Sequence, residues 1–172
     1  MATLRRFKAC DIFDLSLINL DPLTENYNIS FYLQYLSWWP TYQVILLSPA
    51  GVPMSYLLAK EEGEGEWWHG HVTAITTASL FRRQGLAKML MFELERIGDE
   101  RSCYFIDLFV RKSNSLAIEM YKNLGYTVFR EVLEYYDDES AYDMRKALKR
   151  DESQKSMIPL DKPIKAHELE VW

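Results

Sequence analysis

The sequence predicts a single α/β domain, and three observations carry that expectation. Along the chain the hydrophobic period changes from strand alternation to the 3.6-residue spacing of helices and back. CYFIDLFV, from Cys103 to Val110, is almost wholly apolar apart from Asp107, as befits a strand covered on both faces. The elements then follow the order β α α β β β α β α β β, about seven strands and about four helices, which is neither an all-α nor an all-β pattern.

Thr3 to Phe7 has the character of a short strand, Asp11 to Ile18 of a short helix, and Ile29 to Trp39 of a second helix that Pro40 ends. Tyr42 to Ser48 and Met54 to Lys60 flank Pro49-Ala50-Gly51-Val52-Pro53, which predicts an antiparallel hairpin. The acidic, glycine-containing run from Glu61 to Glu66 predicts an exposed loop, and His69 to Thr76 alternates as a strand. From Gln84 to Ile97, Leu86, Ala87, Leu90, Met91, Leu94 and Ile97 share one stripe, giving an amphipathic helix of about four turns. Behind the Cys103 to Val110 strand, Leu116, Ala117, Met120, Tyr121 and Leu124 mark another helix, with Ser113 or Asn114 as N-cap and Gly125 as its stop. Tyr126 to Tyr136 and Ala141 to Leu148 are expected as strands joined by the acidic turn Asp137 to Ser140. Residues 1–150 make the expected domain. Residues 151–172, with Pro159, Pro163 and scattered charge, predict a tail outside the core, flexible or in contact with a partner.

A chain of 172 residues with 48% apolar and 26% charged residues can build a real core, which excludes disordered and collagen-like classes. The longest aliphatic stretch, Val44 to Leu47, is too short to span a bilayer. Arg5, Arg6 and Lys8 have the look of a signal-peptide start, but Asp11 and Asp14 interrupt the apolar stretch that should follow, so a cytoplasmic location is expected. Cys10 and Cys103 are outside any CxxC, which argues against a disulfide framework or structural zinc. A formal charge of −5 argues against non-specific nucleic-acid binding without excluding a local basic patch, and no direct nucleic-acid partner is expected.

Arg82-Arg83-Gln84-Gly85-Leu86-Ala87 stands between a strand and a helix. Small residues at 85 and 87 let the backbone approach a ligand closely, and free amides at a helix N-terminus favour phosphate oxygens. Taken alone, the run could equally be a basic turn before an ordinary helix. It matches, however, the [R/Q]xxGx[G/A] signature of the GCN5-related N-acetyltransferases (GNAT), in the position that family gives it. Asn114, Ala117, Tyr121 and Gly125 repeat a second spacing of that family, and the resemblance covers residues 3 to 148. It implies a GNAT fold, with a mixed central sheet of about seven strands flanked by about four helices, and acetyl-CoA as co-substrate with no metal. By the same resemblance Ala74, Ile75, Thr76, Arg82, Arg83, Gln84, Gly85, Leu86, Ala87, Asn114 and Tyr121 are cofactor-binding, and Tyr121 protonates the leaving thiolate.

Within the family, NLDPLTENY (Asn19 to Tyr27), FYLQYL (Phe31 to Leu36), WHGHVTA (Trp68 to Ala74), EYY (Glu134 to Tyr136) and AYDMRKAL (Ala141 to Leu148) are similar to the N-terminal acetyltransferases of type B (NatB). That resemblance implies acetylation of the α-amine of chains beginning Met-Asp, Met-Glu, Met-Asn or Met-Gln. It also implies a large helical-repeat auxiliary subunit and, through it, contact with the ribosome and nascent polypeptide N-termini. Glu25, Tyr27, His71, Thr73, Tyr135 and Tyr136 become substrate-binding residues, with Tyr121, His71, Tyr135 and Tyr136 as catalytic candidates. A lysine or small-amine acetyltransferase, or a non-catalytic acyl-CoA-binding module, would share the CoA signature.

Simpler roles remain open at each position. Tyr121 could be a core aromatic, Asn114 a helix cap, and Glu25 a solvated carboxylate. Tyr135 and Tyr136, adjacent on a strand, would point to opposite faces. His69 and His71 share a strand face, which could suit zinc, but no third ligand is recognisable from local spacing. A strong base is dispensable, because an α-amine of pKa about 7.7 to 8.0 is on the order of a quarter neutral near pH 7.4. Direct attack in a ternary complex is therefore favoured over an acyl-enzyme on Cys10 or Cys103, neither of which has a recognisable histidine partner.

Overall fold

Eight strands and four α-helices form among residues 2–22 and 24–170, the part of the chain described by this computed structural model. Leu23, inside the NLDPLTENY segment, and the terminal Met1, Val171 and Trp172 lie outside the described residues. Contacts gather the chain into two units, Met1–Lys60 with Val72–Ile97, and Glu61–His71 with Gly98–Trp172.

The first unit holds β1 (Thr3–Arg6), β2 (Val44–Leu47), β3 (Pro53–Glu62) as far as Lys60, and β4 (His69–Thr77) from Val72, in that order across the sheet. β1 and β2 are antiparallel, with Thr3 opposite Leu47 and Arg6 opposite Val44. β2 and β3 form the expected antiparallel hairpin; its turn is closed by the Ser48 amide on the Val52 carbonyl at 2.9 Å. Helices α1 (Ser16–Asn19), α2 (Ile29–Trp38) and α3 (Leu86–Glu100), the last as far as Ile97, complete the unit. Its core joins Phe7, Leu15, Ile18, Tyr32, Tyr35, Ile45, Tyr56 and Leu58, and α3 buries Leu90, Met91 and Leu94. Each fully buried aliphatic side chain contributes roughly 1.5–3 kcal/mol.

Local bonds move several boundaries. The helix expected from Asp11 to Ile18 is a 3-10 turn, Ala9–Asp14, followed by α1. Asp11 there accepts the Lys8 amide at 2.7 Å and two Arg5 hydrogen bonds at 2.8 and 2.7 Å, and such side-chain bonds compete with the helical ladder. Asn28 caps α2 by accepting the Phe31 amide at 2.9 Å, and Pro40 opens a 3-10 turn as the helix ends. α3 starts after Gly85, whose φ of +76° is left-handed.

The second unit is built on β5 (Phe105–Arg111), β6 (Thr127–Leu133), β7 (Ala141–Ala147) and β8 (Ile164–Lys165), ordered β5-β7-β6-β8, with α4 (Ser115–Asn123) following β5. β7 is antiparallel to both β5 and β6, pairing Phe105 with Ala147 and Val132 with Ala141. Residues 61–66 depart from the expected loop: Glu61 and Glu62 continue β3, because Arg101 grips Glu61 at 2.8 and 2.5 Å. The turn comes at Gly63, where a Cβ would sit 2.1 Å from the Trp67 carbonyl oxygen.

Two further differences bear on function. β6 ends at Leu133, because Glu134 takes a left-handed φ of 55°, so Tyr135 and Tyr136 stand beyond the strand and not on its opposite faces. The segment after residue 150, expected outside the core, contributes β8, which pairs parallel to β6 through Val132–Ile164 and Leu133–Lys165. Asp151, itself buried, accepts the amides of Lys155 at 3.0 Å and Ser156 at 2.9 Å, and Glu170 accepts from Arg130 at 2.6 and 3.2 Å. A buried carboxylate and paired charges fasten this segment where apolar side chains are few.

Candidate active site

In the first unit, β4 leads through a 3-10 turn, Ser79–Phe81, into the Arg82–Ala87 run. Arg83 (φ 61°) and Gly85 (φ 76°) are both left-handed. Amides in such a turn converge into an anion-binding concavity. The first helical bond, from the Met89 amide to the Gly85 carbonyl at 3.0 Å, leaves the N–H groups of Leu86, Ala87 and Lys88 ahead of the ladder. A Cβ at Gly85 would meet nothing within 4 Å, so open space lies beside that backbone. These features fit a pyrophosphate. Leu86 buries its side chain and has only its backbone to offer a ligand; Gln84 is exposed and Ala87 half-buried. Arg83 makes no ion pair among the described residues, whereas Arg82 donates to Asp21 at 2.8 Å and to the Thr77 carbonyl at 3.3 Å.

Ala74, Ile75 and Thr76 are half-buried on β4. The Thr76 hydroxyl shares a hydrogen bond with Thr24 at 2.9 Å, and Thr73 shares one with Tyr35 at 2.8 Å. On the loop before α2, Tyr27 donates to Glu25 at 3.3 Å and stacks on Phe31 at 4.3 Å. Burial, then the Glu25 charge, push the Tyr27 hydroxyl pKa up, so it stays protonated.

In the second unit, Asn114 caps α4 by accepting the Ala117 amide at 3.2 Å. Two α4 turns after Asn114, Tyr121 is 6% exposed and packs edge-on to Tyr126, and its hydroxyl makes no hydrogen bond among the described residues. Burial, then nearby Tyr136, raise its pKa. Tyr135 packs on Phe109 at 4.6 Å, and Phe109 lies 5.4 Å from His71. Tyr136 packs edge-on to Tyr135, and Arg111 covers its ring at 4.0 Å. His71, Tyr135 and Tyr136 thus belong to one aromatic cluster, with Phe109 as a member that sequence spacing did not single out.

Asp107 was the lone charge in an apolar strand, and its surroundings explain it. His71 Nδ1–H donates to its Oδ1 at 2.7 Å, and His69 Nε2 faces its Oδ2 at 3.5 Å. Burial alone would raise the Asp107 pKa, but the two histidines and Arg145 outweigh burial and hold it well below the usual carboxylate range. His69, also buried, donates from Nδ1 to the Trp67 carbonyl at 2.5 Å and stacks on Phe105. Burial opposes its charge, yet Asp107 and Glu62 leave its pKa raised. The two histidines that could have suited zinc share this carboxylate; among the described residues no group of three or more His, Cys, Asp or Glu is placed to hold a metal ion.

A left-handed turn with free amides at the start of a helix, reached from a strand, is the arrangement that suits the diphosphate of a co-substrate such as CoA, and so the class of CoA-dependent acyltransferases. The acetyltransferase (GNAT) family model matches residues 12–126, and the chain belongs to that family. The N-terminal acetyltransferase B complex catalytic subunit NAA20 of Arabidopsis thaliana is 52% identical over 172 residues, 99% of each chain. Among solved structures, Naa20 of Chaetomium thermophilum in complex with a bisubstrate analogue aligns with a TM-score of 0.88 at 37% identity, over 95% of this chain and 96% of that one. A NatB acetyltransferase complex bound to CoA and MES gives a TM-score of 0.80 at 44% identity, over 85% and 99%. The chain is an N-terminal Nα-acetyltransferase.

Proposed function

We propose that this chain moves acetyl from acetyl-CoA to the α-amine of protein N-termini beginning Met-Asp, Met-Glu, Met-Asn or Met-Gln, as the catalytic subunit of a NatB complex. The observation that carries the reading is the full-length likeness to NatB catalytic subunits, 52% over 99% of the chain, joined to a helix start suited to pyrophosphate. Acetyl-CoA supplies the reactive thioester. The amides of Gly85 to Ala87, with Arg83, hold its diphosphate, and the β4 segment Ala74 to Thr76 offers backbone groups beside the pantetheine. Attack is direct, in a ternary complex.

Tyr121 keeps its proton because burial disfavours tyrosinate, so its hydroxyl donates a hydrogen bond to the developing thiolate; the proton it passes to the sulfur is replaced by the one the amine gives up, and no tyrosinate persists. The amine proton leaves to His71 Nε2, directly or through a water held by Tyr135 and Tyr136. Glu25 and Tyr27 hold the methionine and the backbone near the amine, so their loss impairs every good substrate. The hydroxyls of Thr73, Tyr135 and Tyr136 donate to the second side chain, and His71 adds its hydrogen bond there once it carries the amine proton. A site built for a polar group rejects an apolar one because its own buried groups are left unpaired.

The partner surface is also read from the first unit. On α2, Tyr32 and Tyr35 are buried and Phe31 and Leu36 pack on the core, as does Trp39 just past the helix. Ile29, Leu33 and Trp38 remain exposed, as do Phe13, Leu17 and Leu20 nearby in sequence. These side chains dock the helical-repeat auxiliary subunit, which brings the enzyme to nascent chains at the cytoplasmic ribosome.

The test is a peptide panel with acetyl-CoA and the full chain bound to its auxiliary subunit, reading free CoA. Met-Asp and Met-Glu peptides are acetylated; Met-Leu and internal-lysine peptides are not. Equal rates on Met-Leu or internal lysine overturn the NatB assignment.

A further inference from the structure

We infer that Asp107 is a positioning residue for the acetyl transfer: it fixes the His71 imidazole with its proton on Nδ1 and leaves Nε2 bare toward the substrate amine. The inference rests on His71 being the proton acceptor proposed above, and it adds a residue that touches no substrate.

The geometry is specific. Asp107 and His71 are 36 residues apart, yet Nδ1–H meets Oδ1 at 2.7 Å, the length of a charge-assisted bond. Neutral imidazole carries one proton on one of two nitrogens, and a carboxylate that accepts at Nδ1 decides which. The His71 side chain is 12% exposed and that of Asp107 is 6% exposed, so the ring is held mainly by protein, and with Nδ1 engaged by Asp107 the ring nitrogen left to meet a ligand is Nε2. The second oxygen of Asp107 is fixed too. His69 Nε2 faces it at 3.5 Å, while His69 Nδ1 is committed to the Trp67 carbonyl and its ring lies parallel to Phe105, 4.6 Å away. His69 cannot turn without losing both contacts. Arg145, whose guanidinium donates to Asp143 at 3.2 and 3.0 Å, adds positive charge on the same side. Asp107 therefore stays ionised, and an ionised carboxylate can only accept. The Nδ1 proton of His71 has a fixed destination, and Nε2 is left with a lone pair.

The experiment has three arms on the full chain bound to its auxiliary subunit. In the first, ¹⁵N NMR of the unmutated protein, histidine-labelled, reads the neutral His71 tautomer: Nδ1–H is expected, and Nε2–H overturns the inference without any variant. In the second, Asp107→Asn preserves shape but lets the amide offer N–H to Nδ1. The expected result is a fall in kcat of roughly 10- to 100-fold, as for other groups that orient a histidine, with acetyl-CoA affinity unchanged. A folded Asp107→Asn with normal kcat overturns the role. In the third, Asp107→Asn is placed in His71→Ala. A residue acting only through His71 costs nothing more there, whereas a merely structural one multiplies the loss. Full activity in His71→Ala alone overturns the assignment of His71 itself, and so is distinguished from a failure of Asp107.

Discussion

The Arg82 guanidinium donates to the Asp21 carboxylate at 2.8 Å, which ties the loop carrying Glu25 and Tyr27 to the turn that opens α3. Thr24 and Thr76 add a second tie at 2.9 Å, from the same loop to β4. Arg82 is thereby engaged within the protein, and Arg83 is the arginine of the run left available to an anion.

From that tie, Asp21→Asn is expected to raise the peptide KM about fivefold, the effect of roughly 1 kcal/mol from one partly exposed charged pair, with acetyl-CoA affinity unchanged. Steady-state kinetics at saturating acetyl-CoA measures it. An unaltered KM would mean that the pair is a surface contact with no hold on the loop.

Much of this arrangement was legible before the fold. The helices after Gly85 and Asn114 follow from their stripes, and the hairpin around Gly51 from its turn residues. The end of β6 was not legible, because Glu134 adopts a left-handed conformation with no glycine to announce it. Nor was Asp107, Asp21 or Tyr35 recognisable as the partner of His71, Arg82 or Thr73, since those pairs are 36, 61 and 38 residues apart. A lone charge inside an apolar strand was the available signal for Asp107. A buried carboxylate must have partners, although its sequence neighbours do not say which.

Gly85→Glu is expected to abolish acetyl-CoA binding. A non-glycine residue at φ +76° costs roughly 1–2 kcal/mol, and the new carboxylate would enter the open space beside the amides with the same sign as the diphosphate. Gly85→Ala carries the strain without the charge and should weaken binding far less. Calorimetric titration of both variants separates the two effects, and unchanged affinity in Gly85→Glu would move the diphosphate elsewhere.

Tyr121→Phe keeps the ring against Tyr126 and removes the hydroxyl alone. If that hydroxyl protonates the thiolate, kcat should fall about 100-fold with little change in acetyl-CoA affinity, as expected of a group that acts in the transition state. Normal turnover would make Tyr121 a packing residue.

Stability should depend on pH through His69 in a definite direction. Its pKa in the folded protein is raised, so the folded state holds a proton that the unfolded state releases at about 6.5. The stabilisation is fully present below that pH and is lost as pH rises through the raised folded value. Denaturant midpoints should therefore fall with rising pH above about 6.5 in the unmutated chain, and less steeply in His69→Gln. The same slope in both would assign the effect to other groups.

The proposed partner surface can be separated from the core because Trp38 is 63% exposed while Tyr35, three residues away on the same helix, is 7% exposed. Substituting an exposed side chain outside a packed core usually changes stability by within about 0.5 kcal/mol, whereas removing a tryptophan from the centre of an interface costs 2 kcal/mol or more. Trp38→Asp is therefore expected to leave the melting temperature of the isolated chain nearly unchanged while weakening the heterodimer by roughly 30-fold or more, since each 1.4 kcal/mol is tenfold. Tyr35→Ala should instead unsettle the chain itself, because it empties a buried position and removes the hydroxyl bonded to Thr73. Thermal melts and analytical ultracentrifugation of the two variants with the auxiliary subunit give both quantities. A Trp38→Asp chain that assembles with unaltered affinity would place the partner on another face.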